Sequence, residues 1–121
     1  MKTAIFIDGG YLRILVRQAG YRYVPDYIEA VAHACLKEES EFLLRILYYD
    51  CAPYEGSHKL PISGERQKFT GSGEWLELLS AKPYFAVRLG ILKFRGFVPK
   101  KTPLKPLSSK LSDEDFKARF E

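Results

Sequence analysis

Two short apolar runs, each ending in an aspartate, constrain the fold of this chain more than any other feature. The first run is Ala4-Ile5-Phe6-Ile7-Asp8, and the second extends from Leu43 to Asp50. Such runs are typical of parallel strands buried inside a sheet, and the carboxyl ends of these strands form the rim where open α/β sheets bind ligands. We therefore predict an α/β fold that carries Asp8 and Asp50 on one rim.

Two carboxylates on one rim suggest hydrolytic phosphate chemistry. Carboxylate oxygens are ligands that Mg²⁺ or Mn²⁺ prefers, and such ions activate water for attack on phosphate esters. Gly9-Gly10 would let a phosphate approach the backbone beside the first helix. Both aspartates also have structural alternatives. Asp8 could be a turn residue that ends its strand, and Asp50 could position backbone through hydrogen bonds.

Several common nucleotide and hydrolase motifs do not fit the sequence. Gly9-Gly10 does not form a Gly-x-Gly-x-x-Gly signature, and no Gly-Lys-Ser/Thr follows it. Asp8 does not begin the Asp-x-Asp of an aspartyl-phosphate phosphatase. Gly71-Ser72-Gly73 is not a Gly-x-Ser-x-Gly elbow after a strand, so a serine hydrolase triad is not expected.

The order of elements in the first half favours parallel strands. Apolar residues at helical spacing predict a helix over 11–19, and Asp26 with Glu29 forms a capping box that predicts a second helix. A second strand follows at about 42–49. A strand–helix–helix–strand order requires a crossover, so we predict parallel strands joined with right-handed connectivity.

The second half has a less regular pattern. Residues 51–72 contain three Gly, two Pro and three Ser, and predict a long rim loop whose His58, Lys59, Arg66 and Lys68 could either contact phosphates or be solvated. We predict a helix over 74–81 and a third strand from near Tyr84 through Phe97. A Pro- and Lys-rich segment over 99–111 breaks regular structure. A capping box at 112–115 then predicts a last helix, with Phe116 and Phe120 one turn apart.

Charge is divided unevenly along the chain. The 121 residues carry a formal net charge of +4, and residues 1–81 are net −2 while residues 82–121 are net +6. No acidic residue lies between Lys82 and Ser112. An acid-free basic stretch with interleaved phenylalanines is either a nucleic-acid surface or a solvated edge that keeps the sheet soluble.

The remaining composition fits one soluble domain over residues 1–121. No apolar stretch is long enough to span a membrane and the N-terminus lacks a signal pattern, so we expect no membrane association and a cytoplasmic location. Cys35 and Cys51 are isolated, and we expect reduced thiols rather than a zinc site.

Three segments together resemble a known family. Ile5-Phe6-Ile7-Asp8-Gly9-Gly10-Tyr11-Leu12, Arg45-Ile46-Leu47-Tyr48-Tyr49-Asp50, and Phe85 to Gly90 with Lys93-Phe94-Arg95-Gly96 resemble three successive strands of NYN domains, in the LabA-like branch of the PIN-like nuclease superfamily. The resemblance implies a Rossmann-like α/β/α sandwich with a parallel sheet, and Mg²⁺- or Mn²⁺-dependent cleavage of RNA. It implies that Asp8 is a metal ligand, with Asp50 a second catalytic and metal-binding residue. We predict that phosphate or RNA contacts come from Gly9, Gly10, Arg13, Arg88, Lys93, Arg95, Lys100 and Lys101.

The chain also departs from the NYN domains that it resembles. Tyr11 stands where many of them carry asparagine, and the later strands that supply further acidic ligands in similar proteins have no counterpart here. We therefore expect a partial NYN domain, truncated before the last strands, that is inactive alone or is completed by a C-terminal part, a homodimer or strand exchange. The alternatives are a non-catalytic RNA-binding or regulatory module, and a fragment that self-associates through an open sheet edge.

Overall fold

The computed structural model describes residues 1–37, 39–101 and 111–121, which form two compact units. The sheet unit consists of Met1–Ala52 and Ser72–Gly90, and the hairpin unit consists of Pro53–Gly71 and Ile91–Glu121. Each unit therefore combines two separate stretches of the chain. Among the described residues, no helix is both long and apolar enough to span a membrane.

The sheet unit contains a parallel three-stranded sheet, as predicted. Strand β1 covers Lys2–Asp8, β2 covers Phe42–Cys51 and β5 covers Phe85–Gly90, with β2 in the centre. Asp8 is opposite Tyr49, and Asp50 is opposite Leu89. Because the strands are parallel and in this register, both aspartates lie at the same carboxyl edge of the sheet.

Three helices accompany the sheet, which makes this unit mixed α/β. Helix α1 spans Gly9–Gln18, α2 spans Pro25–Ala34 and α3 spans Glu74–Ser80. The third agrees with its prediction. The first begins two residues earlier than predicted and includes both glycines, because Asp8 is its N-cap.

The predicted capping box of the second helix is wrong. Pro25 occupies the first helical turn, so the N-cap is Val24 and Asp26 lies inside the helix. Proline suits this position because its missing N–H would have no partner within the helix. Asp26 instead accepts a hydrogen bond from Lys82 Nζ at 2.7 Å, and Glu29 accepts a second from the same ammonium at 3.2 Å.

The core of the sheet unit lies on one side of the sheet. All three helices contribute to it, with Leu12 of α1 packed against the buried cluster of Ile7, Ile28, Ala32, Ile46, Tyr48, Leu76 and Leu79. Side chains alternate along a strand, so neighbours of the core residues point to the other side. There Phe6 is 67% exposed and stacks on the half-exposed Tyr49, with ring centroids 6.3 Å apart.

The hairpin unit differs from the prediction at two places, the rim loop of residues 51–72 and the last helix. Strands β3 (Gly56–Lys59) and β4 (Arg66–Phe69) pair antiparallel within the predicted rim loop of residues 51–72, which is therefore not a continuous loop. The predicted last helix is also wrong. The capping box at Ser112 and Asp115 is present, but it begins a single 3₁₀ turn over Asp113–Asp115.

A strand follows this turn and pairs with the continuation of the basic stretch. Strand β7 (Phe116–Phe120) is antiparallel to β6 (Phe94–Pro99), and β6 is separate from β5 rather than an extension of it. The pairing shifts register between Phe94 and Phe97, where Gly96 has a φ of +94°. This bulge places Phe94 and Phe97 opposite Phe120 and Ala118, on one face of the pair, although they are three residues apart.

Aromatic side chains form the interior of the hairpin unit. His58 stacks on Phe94 with centroids 3.7 Å apart, and its Nε2 lies 2.7 Å from the Tyr54 hydroxyl. Phe69, Phe97 and Phe120 also belong to the cluster. His58 is half-buried here rather than solvated. Part of the predicted Pro- and Lys-rich segment, over 102–110, lies outside the described residues.

Candidate functional site

An open cleft of about 470 Å³ lies at the carboxyl edge of the parallel sheet. It brings together four residues predicted at a functional site, Asp8, Gly10, Asp50 and Arg88. The other lining residues are Tyr49, Cys51, Leu89 and Gly90, and all eight belong to the sheet unit. The rim position that the two apolar runs predict is thus where the structure has a concave surface.

Asp8 has an exposed carboxylate that is held at one oxygen. Asp8 is the N-cap of α1, and its Oδ1 accepts a hydrogen bond from the Tyr11 amide at 3.2 Å. An acidic side chain suits this position, because the helix dipole has its positive end there. The carboxylate is therefore oriented by the helix while it remains open to solvent in the cleft.

Asp50 is in a very different environment, since only 7% of its side chain is exposed. Its Oδ2 accepts a hydrogen bond from the Tyr48 hydroxyl at 2.8 Å and pairs with the Arg13 guanidinium. Its Oδ1 accepts a hydrogen bond from the Cys51 amide at 2.8 Å. Both oxygens are thus engaged with protein donors.

Two tyrosine hydroxyls connect Asp50 to the start of α1. The Tyr23 and Tyr48 hydroxyls are 2.7 Å apart, and the Tyr23 hydroxyl donates to the Gly9 carbonyl at 3.3 Å. Burial raises the pKa of Tyr48, and the hydrogen bonds to Tyr23 and Asp50 raise it further. Burial also raises the pKa of Tyr23. Both tyrosines therefore stay protonated near neutral pH, so neither can serve as a general base.

The Arg13 side chain packs against two aromatic rings. Its guanidinium carbon is 5.3 Å from the centroid of the Tyr23 ring and 5.7 Å from that of Trp75. Trp75 in turn packs edge-on against Tyr23 and Tyr48. Sequence patterns miss Tyr23 and Trp75 as parts of this network. Tyr48 has a usable signal, because residues two apart on a strand share a face and Tyr48 precedes Asp50 by two.

Gly9 has a packing role at this site. A Cβ at Gly9 would overlap the Tyr48 side chain and lie 2.8 Å from the Tyr49 carbonyl oxygen. A Cβ at Gly10 would meet only Asp8 Oδ1, at 3.7 Å. Gly9 is therefore explained by the close approach of Tyr48, whereas the predicted phosphate contacts of both glycines stay predictions.

The other predicted phosphate contacts lie in the hairpin unit. Lys93, Arg95, Lys100 and Lys101 belong to its second stretch, and none lines the cleft described above. Arg95 pairs with Glu121 at 3.2 Å, and Arg119 pairs with the same carboxylate at 2.8 Å. Part of this basic surface is thus neutralised by a neighbouring acid.

The donor set fits a divalent cation only in part. Nowhere in residues 1–37, 39–101 and 111–121 do three or more His, Cys, Asp or Glu side chains group in a way that could hold a metal. Asp8 offers an open oxygen of the kind Mg²⁺ binds, and Mg²⁺ sites use one or two carboxylates completed by water and substrate phosphates. Asp50 does not fit, because a cation would have to displace Arg13.

Comparison with protein-family models, with curated proteins and with solved structures gives no match.

Proposed function

We propose that this chain is a metal-dependent ribonuclease domain of the NYN type, with the rim cleft as the place where it acts on RNA. The observation that carries the proposal is the exposed Asp8 carboxylate at the carboxyl edge of a parallel sheet, in a cleft that Arg88 also lines. The proposal includes the fold that the resemblance implies, a PIN-like Rossmann arrangement. The three parallel strands and three helices support it.

Different residues of the cleft would have different roles in such a reaction. Asp8 would hold the cation, and α1 orients its carboxylate through the hydrogen bond from the Tyr11 amide. Mg²⁺ or Mn²⁺ held by Asp8 would supply an activated water and would neutralise charge on the phosphoryl group. Arg88 attracts the RNA backbone, and the protonated Tyr48 fixes Asp50 in place.

Substitution of Asp8 by asparagine tests this proposal. Asparagine caps helices about as well as aspartate, so we expect the melting temperature to change little. It cannot supply an anionic ligand, so we expect Mg²⁺- or Mn²⁺-dependent cleavage of single-stranded RNA to fall by at least about 100-fold, as for loss of a catalytic electrostatic group. Gel-based cleavage assays with and without EDTA measure this.

Asp26→Asn is the matched control, because it removes one carboxylate from an exposed position on α2. Its cleavage rate should equal that of the parent chain. Equal cleavage by the Asp8→Asn and parent chains, or cleavage that survives EDTA, would contradict the proposal.

Binding of RNA without cleavage is the second candidate function. The observation that favours it is the engagement of Asp50 by Arg13 and Tyr48, which leaves Asp8 as the exposed aspartate among the described cleft residues. One carboxylate binds Mg²⁺ weakly, because the ion gives up its waters reluctantly. RNA binding in EDTA, steeply weakened by salt, together with no cleavage in either metal, would support this function over the first.

A further inference from the structure

We infer that Arg13 is the centre of a phosphate-binding site and that Asp50 is its positioning residue rather than a metal ligand. The inference rests on the proposed function, because it takes the phosphodiester backbone of RNA as the ligand. It deepens that proposal by assigning the ion pair a role in holding RNA instead of a role in holding the cation.

The guanidinium of Arg13 is fixed from several directions within the sheet unit. Asp50 holds Nη2, and the rings of Tyr23 and Trp75 lie 5.3 and 5.7 Å from the guanidinium carbon. Arginine on an aromatic face gains from cation–π attraction and loses side-chain freedom. A cation fixed before its ligand arrives binds that ligand at a lower entropic cost.

Most hydrogen-bond donors of Arg13 remain available. A guanidinium has five N–H donors, and within the described part of the chain Arg13 donates one hydrogen bond, from Nη2 to Asp50. The side chain is 26% exposed, and in the same part of the chain no buried side-chain nitrogen or oxygen is without a partner. The remaining donors therefore reach solvent, where a planar fork can bind phosphate oxygens.

Asp50, by contrast, already has protein partners at both carboxylate oxygens. Its Oδ2 accepts from Tyr48 and pairs with Arg13, and its Oδ1 accepts from the Cys51 amide. A dication at Asp50 would also be repelled by the adjacent guanidinium. The interactions of Asp50 therefore fit a carboxylate that holds the arginine.

The surroundings favour a polyanion over a single phosphate. Asp50 also lines the open cleft, and a second arginine, Arg88, lines the same cleft and is exposed. Arg88 in the cleft, and Arg13 held by the cleft residue Asp50, together suit the repeated phosphates of a nucleic-acid strand, whose binding strength grows with the number of phosphates contacted.

Fluorescence anisotropy of a labelled single-stranded oligoribonucleotide, measured in EDTA with Asp50→Asn, tests the inference. Counting charges alone predicts tighter RNA binding, because the substitution removes a negative charge from the rim. Loss of positioning predicts the opposite, and we expect binding about tenfold weaker, which is the loss of one charge-assisted hydrogen bond. Asp26→Asn removes the same charge from α2 and should bind RNA as tightly as the parent chain or slightly more tightly.

Arg13→Lys provides a second test that keeps the charge. We expect RNA binding about tenfold weaker with an unchanged salt dependence, because lysine retains the charge but not the planar fork. If Asp50→Asn does not fold, as judged by circular dichroism, this variant decides alone. Parent-like affinity in Arg13→Lys, or unweakened binding by folded Asp50→Asn, would overturn the inference.

Competition by inorganic phosphate distinguishes an RNA backbone from free phosphate as the ligand of this site. We expect it to compete with RNA only at millimolar concentrations, and competition in the micromolar range would overturn RNA as the source. The binding measurements are made in EDTA, which prevents metal-dependent cleavage. Failure of the ribonuclease proposal would therefore not change the RNA affinities measured here. Asp8→Asn should likewise lose cleavage while it keeps RNA binding.

Discussion

At the scale of single residues, the two aspartates that end the apolar runs have different environments. Asp8 is exposed at the first turn of α1, whereas Asp50 is enclosed by Arg13, Tyr48 and the Cys51 amide. The sequence predicts their common edge, because both follow strand-like runs. It does not predict the environment of Asp50, because that depends on Arg13 and on the rings of Tyr23 and Trp75 around it, which come from three other parts of the chain.

The two adjacent glycines allow a direct test of this packing. We expect Gly9→Ala to lower the free energy of unfolding by about 2 kcal/mol or more, because the added methyl overlaps Tyr48 and the Tyr49 carbonyl oxygen. Gly10→Ala should leave it unchanged or raise it by about 0.5 kcal/mol, because alanine favours the helix and the site is open. Urea titration of both variants measures the difference, and equal values would contradict this account of Gly9.

At the scale of elements, the sequence predicts the parallel strands and α3 but not the hairpin unit. Phe116 and Phe120 are four residues apart, a spacing that shares one face in a helix and also in a strand, so the pattern could not distinguish them. Strands β3 and β4 are four residues long, with mostly polar or charged side chains, and lack an apolar alternation. The pairing of β6 is also not evident from the sequence, because the bulge at Gly96 interrupts the two-residue alternation of side chains along the strand.

The tip between β3 and β4 is held by an acid from far along the chain. Asp113 Oδ1 accepts hydrogen bonds from the amides of Ile62 and Ser63 at 2.9 and 3.2 Å. The pKa of Asp113 lies below its ordinary value, first because of hydrogen bonding by the Ser63 side chain and then because of these two amides.

A lowered carboxyl pKa gives a defined dependence of stability on pH. The contribution of Asp113 is present above the ordinary pKa of an aspartate, about 4, and is lost as pH falls through the lower pKa of the folded state. We therefore expect the parent chain to lose more thermal stability than Asp113→Asn when the pH falls from 7 to 3. Melting curves measure this, with Glu114→Gln as the neighbouring control. A parallel fall in both chains would contradict the role of Asp113.

At the scale of the whole molecule, the sheet unit has an uncovered apolar face. Phe6 and Tyr49 are exposed there and are stacked on each other. The helices pack on the opposite face, where the buried cluster lies. Contiguous exposed apolar surface of this kind promotes association.

We accordingly expect the chain to self-associate as its concentration rises through the micromolar range. Phe6→Lys should shift the sedimentation coefficient toward that of a monomer, because it places a charge on the exposed face. Ile91→Lys is the control, since Ile91 is 84% exposed but belongs to the hairpin unit. A parent chain that sediments as a monomer at all concentrations would argue against association through this face.

The interleaving of the two units has a consequence for synthesis on the ribosome. The chain leaves the sheet unit after Ala52, returns to it at Ser72 and leaves it again after Gly90. The hairpin of β3 and β4 therefore emerges before the strands that complete its own unit, and β2 emerges before its neighbour β5. Neither unit can be complete until the other is partly made. We conclude that neither can be excised as a continuous fragment, and that proteolytic cleavage between them would leave two-part pieces held together only by noncovalent contacts.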